Sequence, residues 1–372
     1  MEAVLNDDIV TVILTRVDTK TLVRCKCVCK RWQNVISDPT FMEGFITRSK
    51  ASPLTTAMIC HQYNEEKRLG ERLYEFDRNI DFNNSLLDIS LGFIRSPTVI
   101  IASHNGILLC VHKPSKDVFI DRMDKILRNY IVCNPLTKQW LNLPKPAHEH
   151  SVQNTVFYTY IKEQQIEFEV VSFTYVTNFE LNIEVYSSET KTWKLSKTSH
   201  DGELGRYANV RGLFNESVYF CGDQKVYVYD LTEKSLGTLE LPVFLSFGYY
   251  IGVSSGLLHY GASYDKHLKV WVRHDGVGWS LVRSINHANL RNEFSSYGYF
   301  NVVGFHPLKP DLIVAIVSVL NRSMPVSDLY LLNTCTGKIE PLNVLNHSCL
   351  IDPLPYCLPA WIPCLQLSAA KR

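Results

Sequence analysis

The sequence predicts an α+β chain: a small three-helix module over residues 1–46, then an all-β domain over residues 47–372 arranged as a β-propeller of about six blades. Three observations predict it. Apolar residues recur at three- and four-residue steps only near the amino terminus. That period vanishes near residue 50. Downstream, a turn motif returns at the spacing of one propeller blade. Composition agrees, with 46% hydrophobic and 20% charged residues in 372, enough for a sizeable core. The 19 Tyr and 17 Phe favour pleated, half-buried strands.

The first helical pattern is Ile9, Val10, Ile13, Leu14 and Val17, one apolar stripe. Asn6 suits its N-cap, and Asp7 and Asp8 suit the positive end of the helix dipole. The second pattern is Leu22, Cys25, Val28, Cys29, Trp32, Val35 and Ile36, introduced by the capping residues Asp18, Thr19 and Thr21 and stopped by Pro39. About 40 residues of short helices cannot bury such broad apolar faces among themselves. Those faces either dock on the rest of the chain or bind another protein. On a continuous helix Cys25 and Cys29 share a face while Cys27 does not, and no histidine lies near enough to complete a metal site.

From about residue 53 short β-type runs take over, such as 98–102, 106–111, 167–173, 225–229 and 312–319, broken by Gly, Asn, Asp, Ser and Pro. A repeat runs through them. Asn134 is followed at +3 by Thr137 and at +6 by Trp140, Ser187 likewise by Thr190 and Trp193, and Asn333 by Thr336 and Ile339. Asp230, with Glu233 and Leu236, and His274, with Trp279 at +5, read as looser copies. A short polar residue that accepts backbone hydrogen bonds begins a hairpin turn, and the bulky residue begins the returning strand. Copies start 53, 43, 44 and 59 residues apart, a blade's length. Two stacked β-sandwiches are the alternative that irregular spacing leaves open.

Charge and motifs exclude several functions. A net charge of +1 lacks the footprint of a nucleic-acid or acidic-membrane binder. The longest apolar run, 312–320, is too short to span a bilayer, and the acidic start at Met1–Asp8 is unlike a signal peptide, so residence in the nucleus or cytosol is expected. Eleven scattered cysteines without C-x-x-C read as free thiols. His148-Glu149-His150 is the only tight His/acid cluster; it lacks the H-E-x-x-H helix and reads as an exposed loop after Pro144-Lys145-Pro146. No nucleophile elbow, phosphate loop or dinucleotide fingerprint is present, so no cofactor and no catalysis are expected.

Leu5-Asn6-Asp7-Asp8-Ile9-Val10, Ile13 to Val17, Leu22 to Trp32 and Ile36-Ser37-Asp38-Pro39-Thr40-Phe41 together resemble an F-box, most specifically in Val28-Cys29-Lys30-Arg31-Trp32 followed by Ser37-Asp38-Pro39 and Phe41. Asn105 to Cys110, Cys133-Asn134-Pro135 and Gly256 to Tyr260 resemble the F-box-associated β domain of the large plant F-box families. The resemblance implies a non-catalytic substrate receptor of a Skp–cullin–F-box ubiquitin ligase, with a Skp-type adaptor on the helices and an unknown target protein on the β domain. The matching adaptor positions are Leu5, Ile9, Ile13, Leu14, Leu22, Val28, Cys29, Trp32 and Ile36, with Leu14 and Trp32 as anchors. Three departures stand out: Asn6 where the family usually has Pro, Val12 for an acidic residue, and Val17-Asp18 for Leu-Pro. Losing two helix-starting prolines raises the ordering entropy and predicts adaptor binding weaker than usual, or absent. Trp279, Tyr297, Tyr299 and Phe300 are candidate loop-tip contacts for a target. The alternative function is a ligand-binding or hydrolytic propeller carrying a non-functional helical leader.

Overall fold

The computed structural model describes residues 6–17, 19–38, 40–42, 44–45, 55–63, 69–75, 91–94, 96–112, 129–135, 137–150, 154–163, 165–177, 180–199, 209–221, 225–243, 249–264, 267–274, 276–286, 298–319, 326–343, 350–358 and 366–367. Three helices come first: α1 (Asp7–Leu14), α2 (Thr19–Cys25) and α3 (Lys30–Ser37). Asn6 caps α1 as expected, its side chain accepting from the Asp8 N–H at 3.4 Å. The second apolar pattern is two helices rather than one. Residues 26–28 turn, and Cys29 (φ −159°, ψ 161°) caps α3 through its Sγ, which accepts from the Trp32 N–H at 3.5 Å. Cys25 and Cys29 therefore do not share a helix face: the first is buried and the second exposed. Periodicity ran on across the break because both helices turn apolar sides to one core.

Asp38 ends α3 in extended backbone (ψ 132°), as a residue preceding proline prefers. Its carboxylate then accepts from the N–H groups of Thr40 and Phe41 at 2.9 and 3.3 Å, starting another helical turn. Val10, Leu14, Leu22 and Ile36 are buried, and with Phe41, Met42 and Phe45 they join Leu91, Ile94 and the interior of the first blades in one continuous core. Each such side chain contributes about 1.5–3 kcal/mol by burial. One apolar side of the module thus docks on the rest of the chain.

Among the described residues the strands form six sheets. Five are runs of four consecutive antiparallel strands. Before them come β1 (Thr55–Tyr63) and β2 (Leu69–Glu75). The first blade is β3 (Thr98–His104), β4 (Ile107–His112), β5 (Tyr130–Asn134) and β6 (Gln139–Asn142). The second is β7 (Thr155–Lys162), β8 (Gln165–Tyr175), β9 (Glu180–Ser187) and β10 (Thr192–Ser199). The third is β11 (Asn209–Phe214), β12 (Ser217–Cys221), β13 (Lys225–Asp230) and β14 (Leu236–Glu240). The fourth is β15 (Tyr249–Ser254), β16 (Leu257–Tyr264), β17 (His267–His274) and β18 (Gly278–Asn286). The fifth is β19 (Gly298–Phe305), β20 (Leu312–Val319), β21 (Val326–Asn333) and β22 (Ile339–Asn343).

The last sheet has three strands, β2-β1-β23, where β23 (Leu350–Leu358) pairs antiparallel with β1. A two-residue strand, β24 (Gln366–Leu367), adds parallel to β8. First strands neighbour one another in the order β3, β7, β11, β15, β19, and β23 packs against both β19 and β3. This is a propeller ring, not stacked sandwiches. Among the described residues its complete four-stranded blades number five, one fewer than the expected count of about six. Dividing length by period had counted the chain flanking those blades as one more.

The repeat read from the sequence is a set of real caps. The Asn134 Oδ1 accepts from the Thr137 N–H at 3.2 Å, and the Asn333 Oδ1 from those of Cys335 and Thr336, both at 3.0 Å. Asp230, expected to be looser, does the same for Thr232 and Glu233 at 2.8 Å each. Four residues after each turn start the backbone goes left-handed, at Lys138, Lys191, Lys234 and Gly337 (φ 58°, 57°, 53° and 70°). The preceding hairpins turn through Asn105-Gly106, Asn215-Glu216 and Ser255-Gly256, with positive φ at both residues of each pair. Those are the primed turns that match strand twist.

Candidate functional site

The helical module shows two faces. On α1, Val10 and Leu14 point inward, 2% and 1% exposed, while Ile9, Val12 and Ile13 are 48%, 49% and 45% exposed. Positions i, i+3 and i+4 lie together on a helix, so these three form one outward apolar patch. Val28, in the turn before α3, is 64% exposed. Arg31 on α3 reaches back to Asp7, Nε to Oδ1 at 2.7 Å, and ties the start of α1 to α3. Both ends of that pair are solvated, so it positions more than it stabilises, at about 0.2–1 kcal/mol.

The nine adaptor positions expected from sequence divide accordingly. Leu14, Leu22 and Ile36 lie in the core of the module. Ile9, Ile13, Val28 and Cys29 face outward, and Trp32 is half-buried against the core. Leu5 lies outside the described residues. Leu14 is therefore a packing residue rather than an exposed anchor, because the i, i+4 row it shares with Val10 faces the core. Val12, which the sequence marked only as a departure, sits in the middle of the outward patch.

Trp279 is not at a loop tip. It lies on β18, its indole N–H donates to the Glu240 carbonyl at the end of β14 (2.9 Å), and its ring meets Tyr260 edge-on at 5.9 Å. Trp193 on β10 does the same one blade pair earlier, donating to the Pro144 carbonyl at 2.7 Å. In these two copies the tryptophan that closes the repeat motif therefore staples a blade's outer strand to the chain of the blade before it. Tyr299 and Phe300 are on β19, a strand of the inner ring, and Tyr297 lies outside the described residues.

His148-Glu149-His150 is a loop, with His148 and Glu149 exposed as expected, but its last residue is placed differently. His150 is buried. Its Nε2 lies 2.9 Å from the Glu184 Oε2, and its Nδ1 is 2.9 Å from the Tyr130 hydroxyl. A carboxylate only accepts, so Nε2 carries the proton and Nδ1 accepts from Tyr130. The Glu184 side chain, 4% exposed, also accepts from the Ala147 N–H (2.9 Å) and from the His148 Nδ1 (3.2 Å). Burial lowers the pKa of His150 below the usual 6.5, and the hydrogen bond to Glu184 opposes that. Burial raises the Glu184 carboxyl, but its donors, His150 first, outweigh that and hold it below 4.5. His104, half-buried and accepting from the Thr159 N–H, is lowered to about 4 by burial. His150 and Glu184 are buried in the seam between the first and second blades, which suits a structural role. The signal for Glu184 was a carboxylate between Ile183 and Val185 in a buried strand.

Among the described residues no group of three or more His, Cys, Asp or Glu side chains could hold a metal ion, and no described helix is long and apolar enough to cross a membrane. Residues 4–43 match the F-box domain family, and residues 88–324 match the family described as "F-box protein At3g26010-like, beta-propeller". Similar curated proteins come from Arabidopsis thaliana. F-box protein At5g49610 is 30% identical over 150 residues, covering 38% of this chain and 33% of the relative. F-box protein At1g49990 is 24% identical over 236 residues (54% and 53%), and F-box/kelch-repeat protein At3g61590 is 26% identical over 212 residues (52% and 45%). The matched region thus spans between one third and about half the length of these relatives.

Proposed function

Because the chain belongs to the F-box proteins with an At3g26010-like β-propeller, we propose that it is the substrate-recognition subunit of a Skp–cullin–F-box ubiquitin ligase. The observation that carries this reading is the outward patch of Ile9, Val12 and Ile13 on a helix whose other side is committed to the core. Such a patch, at the end of the chain that matches the F-box, fits the surface of a Skp-type adaptor. The division of labour is at about residue 46: residues 1–46 hold the adaptor, and through it a cullin, while residues 47–372 hold the target. The three-stranded sheet serves as a sixth, incomplete blade that closes the ring. Tyr297, Tyr299 and Phe300 are the proposed target contacts, and the indole of Trp279 is committed to its seam. The receptor acts by raising the target's effective concentration beside a charged conjugating enzyme, in the nucleus or cytosol, and supplies no catalytic group.

The test is an equal-input pull-down of the full chain with a panel of Skp-type adaptors, beside the double variant Ile9→Asp, Ile13→Asp. Interface anchors cost about 2 kcal/mol or more each, so the pair should weaken adaptor binding about a thousand-fold. Because both side chains face solvent, the thermal midpoint should hold. Capture by no adaptor, or capture that the double variant leaves intact, refutes the reading.

A further inference from the structure

The second blade carries an open strand edge that the chain itself fills. β8 begins at Gln165, but its partner β9 reaches only to Ser187 opposite Glu169. Ser188 ends that ladder. Its N–H donates to the Phe168 carbonyl at 3.0 Å, its Oγ accepts from the Phe168 N–H at 2.8 Å, and its O–H donates to Glu167 at 2.5 Å. On the other side β7 pairs with β8 as far as Gln165, so the hairpin of β7 and β8 overhangs the rest of its blade. Backbone groups of an overhanging edge need partners, and an extended segment supplies them cheaply.

Here β24 takes that edge, with Gln366 opposite Gln165 and Leu367 opposite Ile166, in parallel. The segment arrives from β23, which belongs to the three-stranded sheet and lies between the fifth and first blades. Eight residue steps separate Leu358 from Gln366. At roughly 3.3–3.6 Å each they reach at most about 29 Å, which bounds how far β24 can lie from the end of β23.

We propose that the edge of β8 at Gln165–Ile166 is a strand-addition site for an extended peptide running parallel to β8, and that residues 366–367 are its internal occupant. Recognition there is by main-chain hydrogen bonds, as in other modules that bind peptides by adding a strand. Two paired residues are a small hold, so an outside segment with a longer extended run competes for the same edge. The proposal is separate from adaptor binding and involves neither α1 nor the Skp-type partner.

The test uses the full chain with Gln366→Pro and Leu367→Pro, which removes the ladder donors of β24 and leaves the blades untouched. A fluorescent peptide of residues 360–372 is titrated against this variant and against the native chain, and read by anisotropy. The expected result is saturable binding to the variant at least tenfold tighter than to the native chain, and none by the same peptide carrying the two prolines. Absence of saturable binding to a variant whose circular dichroism is native overturns the proposal. So does equal binding to variant and native chains, or equal binding by the proline peptide.

Discussion

Replacing Glu184 with Ala should destabilise the β domain, and the hydrogen bonds say by how much. The carboxylate accepts from three donors: the Ala147 N–H, His148 and His150. Water can replace the acceptor for His148, whose side chain is 44% exposed, but not for His150 at 0%. Ala147 is exposed, so water can reach its N–H as well, and the one stranded donor costs about 2 kcal/mol, or roughly thirty-fold in the folded population. Glu184→Gln keeps one acceptor and should lose about half as much.

The same seam fixes the pH dependence. His150 titrates below 6.5 in the folded chain, so the unfolded chain binds the proton first and stability falls as pH drops below about 6.5. Glu184, held below 4.5, contributes stability that is present above 4.5 and lost as pH falls toward its folded value. In Glu184→Ala the carboxylate that held His150 up is gone, so its pKa falls further and the loss between pH 7 and 5 becomes steeper. Urea melts of native, Ala and Gln chains at pH 7.5, 6 and 5, followed by circular dichroism, measure all of this. An Ala variant within 1 kcal/mol of native, or one with the native pH slope, would refute the account of the seam.

Other expectations follow from single contacts. Trp193→Phe and Trp279→Phe each keep an aromatic ring but lose the indole bond to the neighbouring blade, so each should cost about 1 kcal/mol in a thermal melt, with additive effects because they share no partner. Gly261→Ala would put a Cβ 3.1 Å from Phe305 Cζ and Val302 Cγ1 of the next blade, and calorimetry should show a loss of about 1–3 kcal/mol. Asp230→Ala removes the cap on Thr232 and Glu233 at about 1 kcal/mol, while Asp230→Asn, which keeps the acceptor, should stay near native. Leu14→Ala should lower the stability of the helical module by about 2–5 kcal/mol, whereas Ile9→Asp with Ile13→Asp should leave it close to native.

Local chemistry carried far in this chain. Asn6 as a cap, Asp38 with Pro39 as a stop, and Asn134 and Asn333 as turn starters are decided within three or four residues, so they could be read before any fold was known. The blade repeat followed from the same residues, since each blade reuses one hairpin grammar. Asp230 looked loose only because Glu233 replaced the expected Thr at +3; the bond depends on that residue's N–H, which every amino acid but proline supplies.

Direction was what the sequence could not decide. Ile9, Val10, Ile13 and Leu14 are equally apolar on paper, and only packing of α1 on α3 and the first blades sends Val10 and Leu14 inward and leaves Ile9 and Ile13 in solvent. Trp279 looked like a surface anchor until the ring brought Glu240 beside it, 39 residues away in sequence. His150 read as exposed along with the rest of its loop for want of Glu184, which lies 34 residues away. The closing sheet joins β1 to β23 from opposite ends of the domain, a pairing no local period can announce. Short-range hydrogen bonding and helical or hairpin periodicity are written in neighbouring residues; which face is buried, and what a polar group meets there, depends on contacts that exist only once the ring has closed.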